Sequence, residues 1–218
     1  MSNKWSRGVV ILAVVMSLWT SSSVYARTTV RIRTVLGTFD IELFDETTPI
    51  TVANFLAIVN QGDYDNTIIH RSAKDNLGEP FVVQGGGFFA TSPVPTPTPD
   101  VPTIQNEPGI SNIRGTIAMA KGPDPDSATN QWFINMNDNS FLDTVENNAF
   151  TVFGRVVGSG GMGVVETIAR LPTLDAGLPF NELPLIDFSG GTIATENLVI
   201  IETITVLQDD PDPDPDPD

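Results

Sequence analysis

The runs Tyr64-Asp65-Asn66-Thr67-Ile68-Ile69-His70-Arg71 and Phe81-Val82-Val83-Gln84-Gly85-Gly86-Gly87-Phe88 decide how this chain folds. Their apolar cores, Thr67 to His70 and Phe81 to Gln84, are of strand length and are bounded by turn residues. Runs of the same kind recur at Thr116 to Met119, Trp132 to Asn135 and Thr151 to Val157. No helix opens after Gly85, Gly86 and Gly87, which argues against a phosphate cradle; a bulge or close backbone packing is the expectation.

Outward from this centre, Val30 and Ile32, then Phe39, Ile41 and Leu43, alternate with polar residues on either side of Leu36-Gly37, the pattern of a half-buried hairpin. Thr47 and Thr48 offer caps, Pro49 suits a first helical turn, and Val52, Phe55, Leu56 and Val59 follow at helical spacing as far as Gly62. A second helix is predicted over about Met162 to Leu171 and a last strand over Leu198 to Leu207. A parallel sheet would need a helix between most strands, so two helices among many strands favour a closed antiparallel barrel or a sandwich. Thr91 to Thr103, rich in Pro, and Thr173 to Thr195, rich in Gly, Pro and acid, are predicted to be surface loops.

The ends read differently. Lys4 and Arg7 precede an apolar run from Gly8 to Trp19, and a small polar stretch ends in Val24-Tyr25-Ala26, the layout of a secretory signal peptide with cleavage expected after Ala26. That run falls short of the roughly 20 residues a spanning helix needs, so a retained anchor is the weaker reading and no stable membrane insertion is expected after cleavage. The domain is placed at residues 27–207 and the destination is the periplasm or the medium. Residues 208–218, ending in an Asp-Pro alternation, cannot pack and are expected to be a disordered acidic tail.

Eleven Lys and Arg face 27 Asp and Glu, a formal charge of -16, and removing the leader takes away two of the cations. Nucleic acid and anionic membrane surfaces are therefore poor partners, and so much like charge favours a monomer. The absence of cysteine removes disulfides, thiolate ligands and thiol nucleophiles. A serine triad would have to use His70, the only histidine, with no Ser in a nucleophile elbow. One His cannot build an ordinary zinc site, and Asp124-Pro125-Asp126-Ser127 lacks the glycine and late glutamate of a helical calcium loop. No metal or cofactor is expected; what remains is an enzyme needing neither, or a binding module.

At this point the two opening runs become specific. With Gly115-Thr116-Ile117-Ala118-Met119-Ala120, Ser127-Ala128-Thr129-Asn130-Gln131-Trp132-Phe133-Ile134-Asn135, Phe141-Leu142-Asp143 and Phe150-Thr151-Val152-Phe153-Gly154-Arg155-Val156-Val157, they closely resemble the ordered motifs of the cyclophilins, particularly bacterial periplasmic members. The resemblance spans about Thr29 to Leu207. It implies a mainly β fold, a closed eight-stranded antiparallel barrel capped by two helices. The implied activity is cis/trans isomerisation of Xaa-Pro bonds in proline-containing peptides and unfolded or extended proteins.

The resemblance also assigns residues. Arg71 and Gln84 fall on the catalytic positions, and Phe81, Val82, Ala120, Lys121, Gln131, Phe133, Phe141, Leu142 and Phe150 on substrate-contacting ones. The chemistry agrees. Rotation about an amide bond meets a barrier of roughly 20 kcal/mol because of its partial double-bond character. In the twisted transition state the proline nitrogen recovers its lone pair and becomes an acceptor, so a fixed guanidinium stabilises that state alone. Gln84 is expected to orient Arg71, and the apolar residues to hold the proline ring. His70 and Trp132, each adjacent to a site residue on a strand, should face the other way.

Four positions depart from the common family pattern. Lys121 stands where Asn is usual, Val82 where many members carry Met, Phe150 where many carry His, and Phe141 where many carry Trp. The last implies weak cyclosporin binding. Taken without the resemblance, Arg71 also reads as a surface ion-pair partner in acidic company. A chaperone on the same fold is the rival to the enzyme, and the Asp-Pro tail is a second candidate functional part, as a tether to a cationic partner or calcium, or as a ligand of the chain's own pocket.

Overall fold

The computed structural model describes residues 27–91, 94–144 and 149–207, so the expected leader and Asp-Pro tail lie outside it. The elements in chain order are β1 (Thr29–Thr34), β2 (Gly37–Leu43), α1 (Pro49–Gln61), β3 (Thr67–Lys74), β4 (Pro80–Phe89), β5 (Thr96–Pro97), β6 (Thr116–Met119), β7 (Trp132–Asn135), β8 (Val152–Val157), α2 (Gly161–Ala169), β9 (Thr173–Leu174), β10 (Leu183–Pro184) and β11 (Ile200–Leu207). The main sheet runs β3-β11-β1-β2-β8-β6-β7-β4-β5, and a further β3–β4 pairing closes its first eight strands into a barrel. The two-residue β5 is an addition to β4, and β9 and β10 pair separately. Every pairing of the barrel is antiparallel, as the scarcity of helices predicts.

Register sorts the side chains into two faces. Residues opposite one another on antiparallel strands share a face, and successive residues alternate. Gln84 lies opposite both Arg71 and Phe133, and Phe133 opposite Ala118, giving one row. Gly85 lies opposite Trp132, and Val83 opposite Ile134 and then Ile117, giving the other. The second row belongs to the main core, where Trp132, Ile134, Ile117, Phe55 and Phe153 are fully buried and both helices cover the barrel. The first row sits on a smaller cluster of Ala73, Val82, Ala118, Phe133, Leu142 and Val152. Trp132 therefore points away from Phe133 and into the barrel, as expected.

The glycine run follows from this packing. At Gly86, with φ of +87°, a Cβ would fall 2.8 Å from the Asn130 carbonyl oxygen, and at Gly87 one would fall 2.7 Å from the Gln131 side chain. The β3–β4 register slips on both sides of Ile69, so irregularity and close packing occur together here.

Helix α1 begins at Pro49 and ends at Gly62, whose φ of 74° closes it as a left-handed cap. Its start is capped differently from the expectation. Thr48 makes no side-chain cap and donates to the Phe44 carbonyl instead. Glu107 supplies the cap, its carboxylate accepting from the Ile50 and Thr51 amides at 3.1 and 2.8 Å and from the Thr51 hydroxyl at 2.7 Å. A carboxylate there satisfies free N–H groups and meets the positive end of the helix.

The segment 173–195, expected to be a surface loop, is packed. Phe180, Leu183 and Leu185 are buried against Ile68 and Leu198, and the Ser72 amide donates to the Glu182 carbonyl at 2.8 Å. Its three spaced apolar residues are enough to dock it on β3 despite the Gly, Pro and acid around them. Thr96 and Thr98 likewise return the 91–103 segment to β4, Thr98 donating its amide to the Gly87 carbonyl at 3.0 Å.

His70 lies under the docked segment, 2% exposed, its ring edge-on to Phe88 at 4.9 Å, with Nδ1 unpartnered. Burial and the neighbouring Arg71 charge lower its pKa from 6.5 to about 4, against weaker opposing contacts with the Ile68 backbone and Gln131. Between those values the unfolded chain takes up a proton that the folded chain refuses, so stability falls as pH drops through this window. Chemical denaturation between pH 7 and 4 should show a loss of about 3 kcal/mol from this residue, and His70→Phe should flatten the profile by that amount; parallel profiles for the two proteins would refute the assignment.

Candidate active site

The register of β3, β4 and β7 brings Arg71, Gln84 and Phe133 onto one face at the edge of a depression of about 190 Å³, lined also by Phe81, Val82, Ala120, Lys121, Leu142 and Phe150. Val82 reaches it because it is two residues from Gln84 on the same strand. Phe133 and Phe150 meet edge to face at 5.7 Å between ring centres. The floor is thus apolar, with its two rings in contact.

Leu142 comes from a short 3-10 turn, Ser140–Asp143, and polar bonds hold that turn in place. Asp143 accepts from the Ser111 hydroxyl at 2.5 Å and from the Asn112 amide and side chain at 2.9 and 2.8 Å. Burial opposes ionisation of this carboxyl, yet the Ser111 and Asn112 bonds outweigh it and hold its pKa below the usual carboxylate value. Buried Asn135 links the set, donating to Asn112 and Thr116 and accepting from Asn139 at 2.8 Å. The wall of the depression rests on a satisfied network rather than on a free loop.

The polar edge has its own chain of contacts. Gln131, packed against Gly87, accepts from Gln84 Nε2 at 2.9 Å through Oε1. Gln84 Oε1 is thereby turned towards Arg71, whose Nη1 approaches it at 3.4 Å. Arg71 Nε donates to Glu182 Oε2 at 2.7 Å, and the Glu182 backbone is fixed to β3 through Ser72. The guanidinium is held from two sides, with donors left for the depression. With side chains 33% and 28% exposed, the Arg71–Glu182 pair adds little to stability, and its consequence is orientation.

Glu182 is the residue that sequence reasoning misses. Its segment has the composition of a surface loop, although Arg71 in acidic company suggests an ion pair of this kind. The signal was Phe180 and Leu183 on either side of Asn181-Glu182, which anchor the segment where the carboxylate can reach.

Of the expected substrate contacts, Gln131 and Phe141 do not line this depression. Gln131 lines an adjoining polar hollow of about 200 Å³ that shares Gln84, Ala120 and Lys121 with it. Phe141 is 52% exposed and stacks on Phe81 at 5.8 Å, supporting that wall from outside. The Ala120 amide is bonded to the Gln131 carbonyl at 2.8 Å, and the chain leaves the sheet at Lys121. The Lys121 ammonium lies 4.6 Å from the centre of the Phe150 ring.

A separate apolar hollow of about 180 Å³, between Val94 and Phe180, has no charged group in its walls and no evident chemistry. Among the described residues no cluster of three or more His, Asp or Glu is placed to hold a metal, and no helix is long and apolar enough to cross a membrane.

Comparison with known proteins agrees with this geometry. Residues 29–188 match the family model for cyclophilin type peptidyl-prolyl cis-trans isomerase/CLD. A peptidyl-prolyl cis-trans isomerase of Acinetobacter baylyi is 39% identical over 175 residues, 78% of this chain and 87% of that protein. Peptidyl-prolyl cis-trans isomerase A of Dickeya dadantii is 38% identical over 177 residues, 79% of this chain and 88% of that protein. The fold also matches a Cryptosporidium parvum cyclophilin type peptidyl-prolyl cis-trans isomerase solved in the presence of the dipeptide Ala-Pro, with a TM-score of 0.59, 23% identity, and coverage of 83% of this chain and 99% of that one. The motifs, the barrel and these relatives agree: the chain belongs to the cyclophilin-type peptidyl-prolyl cis-trans isomerases.

Proposed function

We propose that the chain is exported, loses its leader near Ala26, and isomerises Xaa-Pro bonds during the folding of periplasmic or secreted proteins, with Arg71 as the transition-state donor. The observation that carries the mechanism is the meeting of Arg71 and Gln84, cross-strand partners, at the edge of an apolar depression. Simple proline binding needs only the apolar floor. A guanidinium held by Glu182 and Gln84 supports catalysis, because a pre-positioned donor needs no reorganisation when the bond twists.

In this mechanism the proline ring enters between Phe81, Phe133, Leu142 and Phe150. The low-dielectric walls strengthen hydrogen bonds formed among them. As the Xaa-Pro bond rotates, the ring nitrogen turns pyramidal and accepts from Arg71; in either planar state that lone pair is delocalised and the contact is lost. No proton is transferred and no covalent bond changes, so neither a nucleophile nor a metal has a part in the step.

Export and two further proposals rest on features of the sequence. The strongly acidic composition supports a monomer. Phe141, with no indole N–H to donate, supports weak cyclosporin binding. The Lys4-Arg7 cations, apolar run and Ala26 support export.

Arg71→Ala should lower kcat/KM on an Ala-Ala-Pro-Phe peptide by roughly 10²- to 10³-fold, with an unchanged circular dichroism spectrum; equal turnover would remove the mechanism and leave the chaperone reading in possession. Glu182→Ala should lower kcat about tenfold by freeing the guanidinium to wander. Glu182→Gln, which keeps an acceptor for Nε, should restore most of it, whereas equal losses in the two variants would show that charge rather than orientation is at stake.

A further inference from the structure

The face of the site has two cations with different circumstances. Arg71 is paired with Glu182. Lys121, by contrast, has a shielded Nζ with no hydrogen-bond partner, although its residue as a whole is only half-buried. Its ammonium is held against the Phe150 ring, at the boundary shared by the apolar depression and the polar hollow beside it. The ring attracts the ammonium but leaves its N–H donors unmet, which a carboxylate would satisfy.

Nearby acid does not discharge it. Asp126 Oδ1 accepts from the Asn106 amide at 2.8 Å, and Asp124 Oδ1 from the Asp126 amide at 3.0 Å, so Asp124 braces its own turn and Asp126 ties that turn to Asn106. Burial lowers the Lys121 pKa, and the charges of Asp124 and Asp126 only partly offset it. A carboxylate brought into contact would relieve both the unmet donors and the cost of shielding a cation.

We propose that Lys121 is a specificity-determining residue, favouring substrates with a carboxylate side chain directly before or after the proline. This deepens the isomerase reading and rests on it. A chain whose proline fills the apolar depression passes Lys121 as it leaves over Gln84 and Ala120 into the polar hollow, so a flanking side chain comes within reach. The net charge of -16 would by itself repel acidic peptides, but at physiological salt such repulsion is screened beyond about 8 Å, whereas a contact pair is not. Asp-Pro steps of this substrate class make up the chain's own terminal run, Asp210 to Asp218.

The test uses the full mature chain and exchange NMR on blocked peptides Ala-Xaa-Pro-Ala-Ala and Ala-Ala-Pro-Xaa-Ala, with Xaa as Glu, Ala or Lys. In one of the two series, wild type should turn over the Glu peptide about fivefold better than the Lys peptide, and the ratio should shrink towards one in 1 M NaCl. In Lys121→Glu the same ratio should invert. Because the ratio is read within one protein, partial loss of folded enzyme leaves it unaffected. Activity on the Ala peptides with Glu and Lys equivalent at both positions, or a ratio that survives Lys121→Glu, would overturn the inference; inactivity on every peptide would instead sink the isomerase reading beneath it.

Discussion

The candidate site, and with it the proposed proline chemistry, depends on how β3 meets β4. Their pairing closes the barrel, and the same register sets Arg71 opposite Gln84. A one-residue slip of β4 would turn Gln84 into the core and away from Arg71. The close contacts at Gly86 and Gly87 guard against that slip, since a side chain at either would strike Asn130 or Gln131. Fold and site therefore share one constraint.

From that constraint the division of labour follows. Apolar residues of β4 and β7, together with Leu142 and Phe150, make a water-poor floor, while the polar groups lie along one edge. Gln131 fixes Gln84, Gln84 and Glu182 fix Arg71, and the Ser111-Asn112-Asp143-Asn135 network fixes the turn bearing Leu142. The partly exposed Arg71–Glu182 pair adds little to stability; in the proposed mechanism these contacts together hold one donor in place before substrate arrives. His70, next to Arg71 in sequence, remains buried and uncharged near neutral pH, so it adds no second cation behind the first.

The barrel, both helices and most of the depression were legible in the sequence because they depend on local pattern or on motifs with specific residue types. Arg71, Gln84 and Phe133 stand in such motifs, and alternation put Trp132 on the far face; the register slips about Ile69 break the alternation for His70, which packs under the docked segment beside Gln131. Glu107 was not legible as the cap of α1, since nothing local links it to Thr51 across a separation of 56 positions. Thr48 looked like a better cap on composition alone. Glu182 was hidden for a similar reason: its segment has loop composition, and only its docking through Phe180 and Leu183 gives the carboxylate a partner. The strands β5, β9 and β10, two residues each, are shorter than any periodicity can register. Phe141 shows the converse, a motif position whose side chain supports Phe81 instead of lining the depression.

The central claim is that the guanidinium acts on the twisted bond and not on the resting peptide. The most direct measurement is to compare wild type with Arg71→Lys at saturating proline peptide, reading affinity by titration and the exchange rate of the bound peptide by NMR. Dissociation constants within about threefold of each other, with bound-state exchange slower by roughly 100-fold in the variant, are the predicted result. A rise in dissociation constant that accounts for the whole loss of rate would contradict it, because Arg71 would then be a substrate anchor and nothing more.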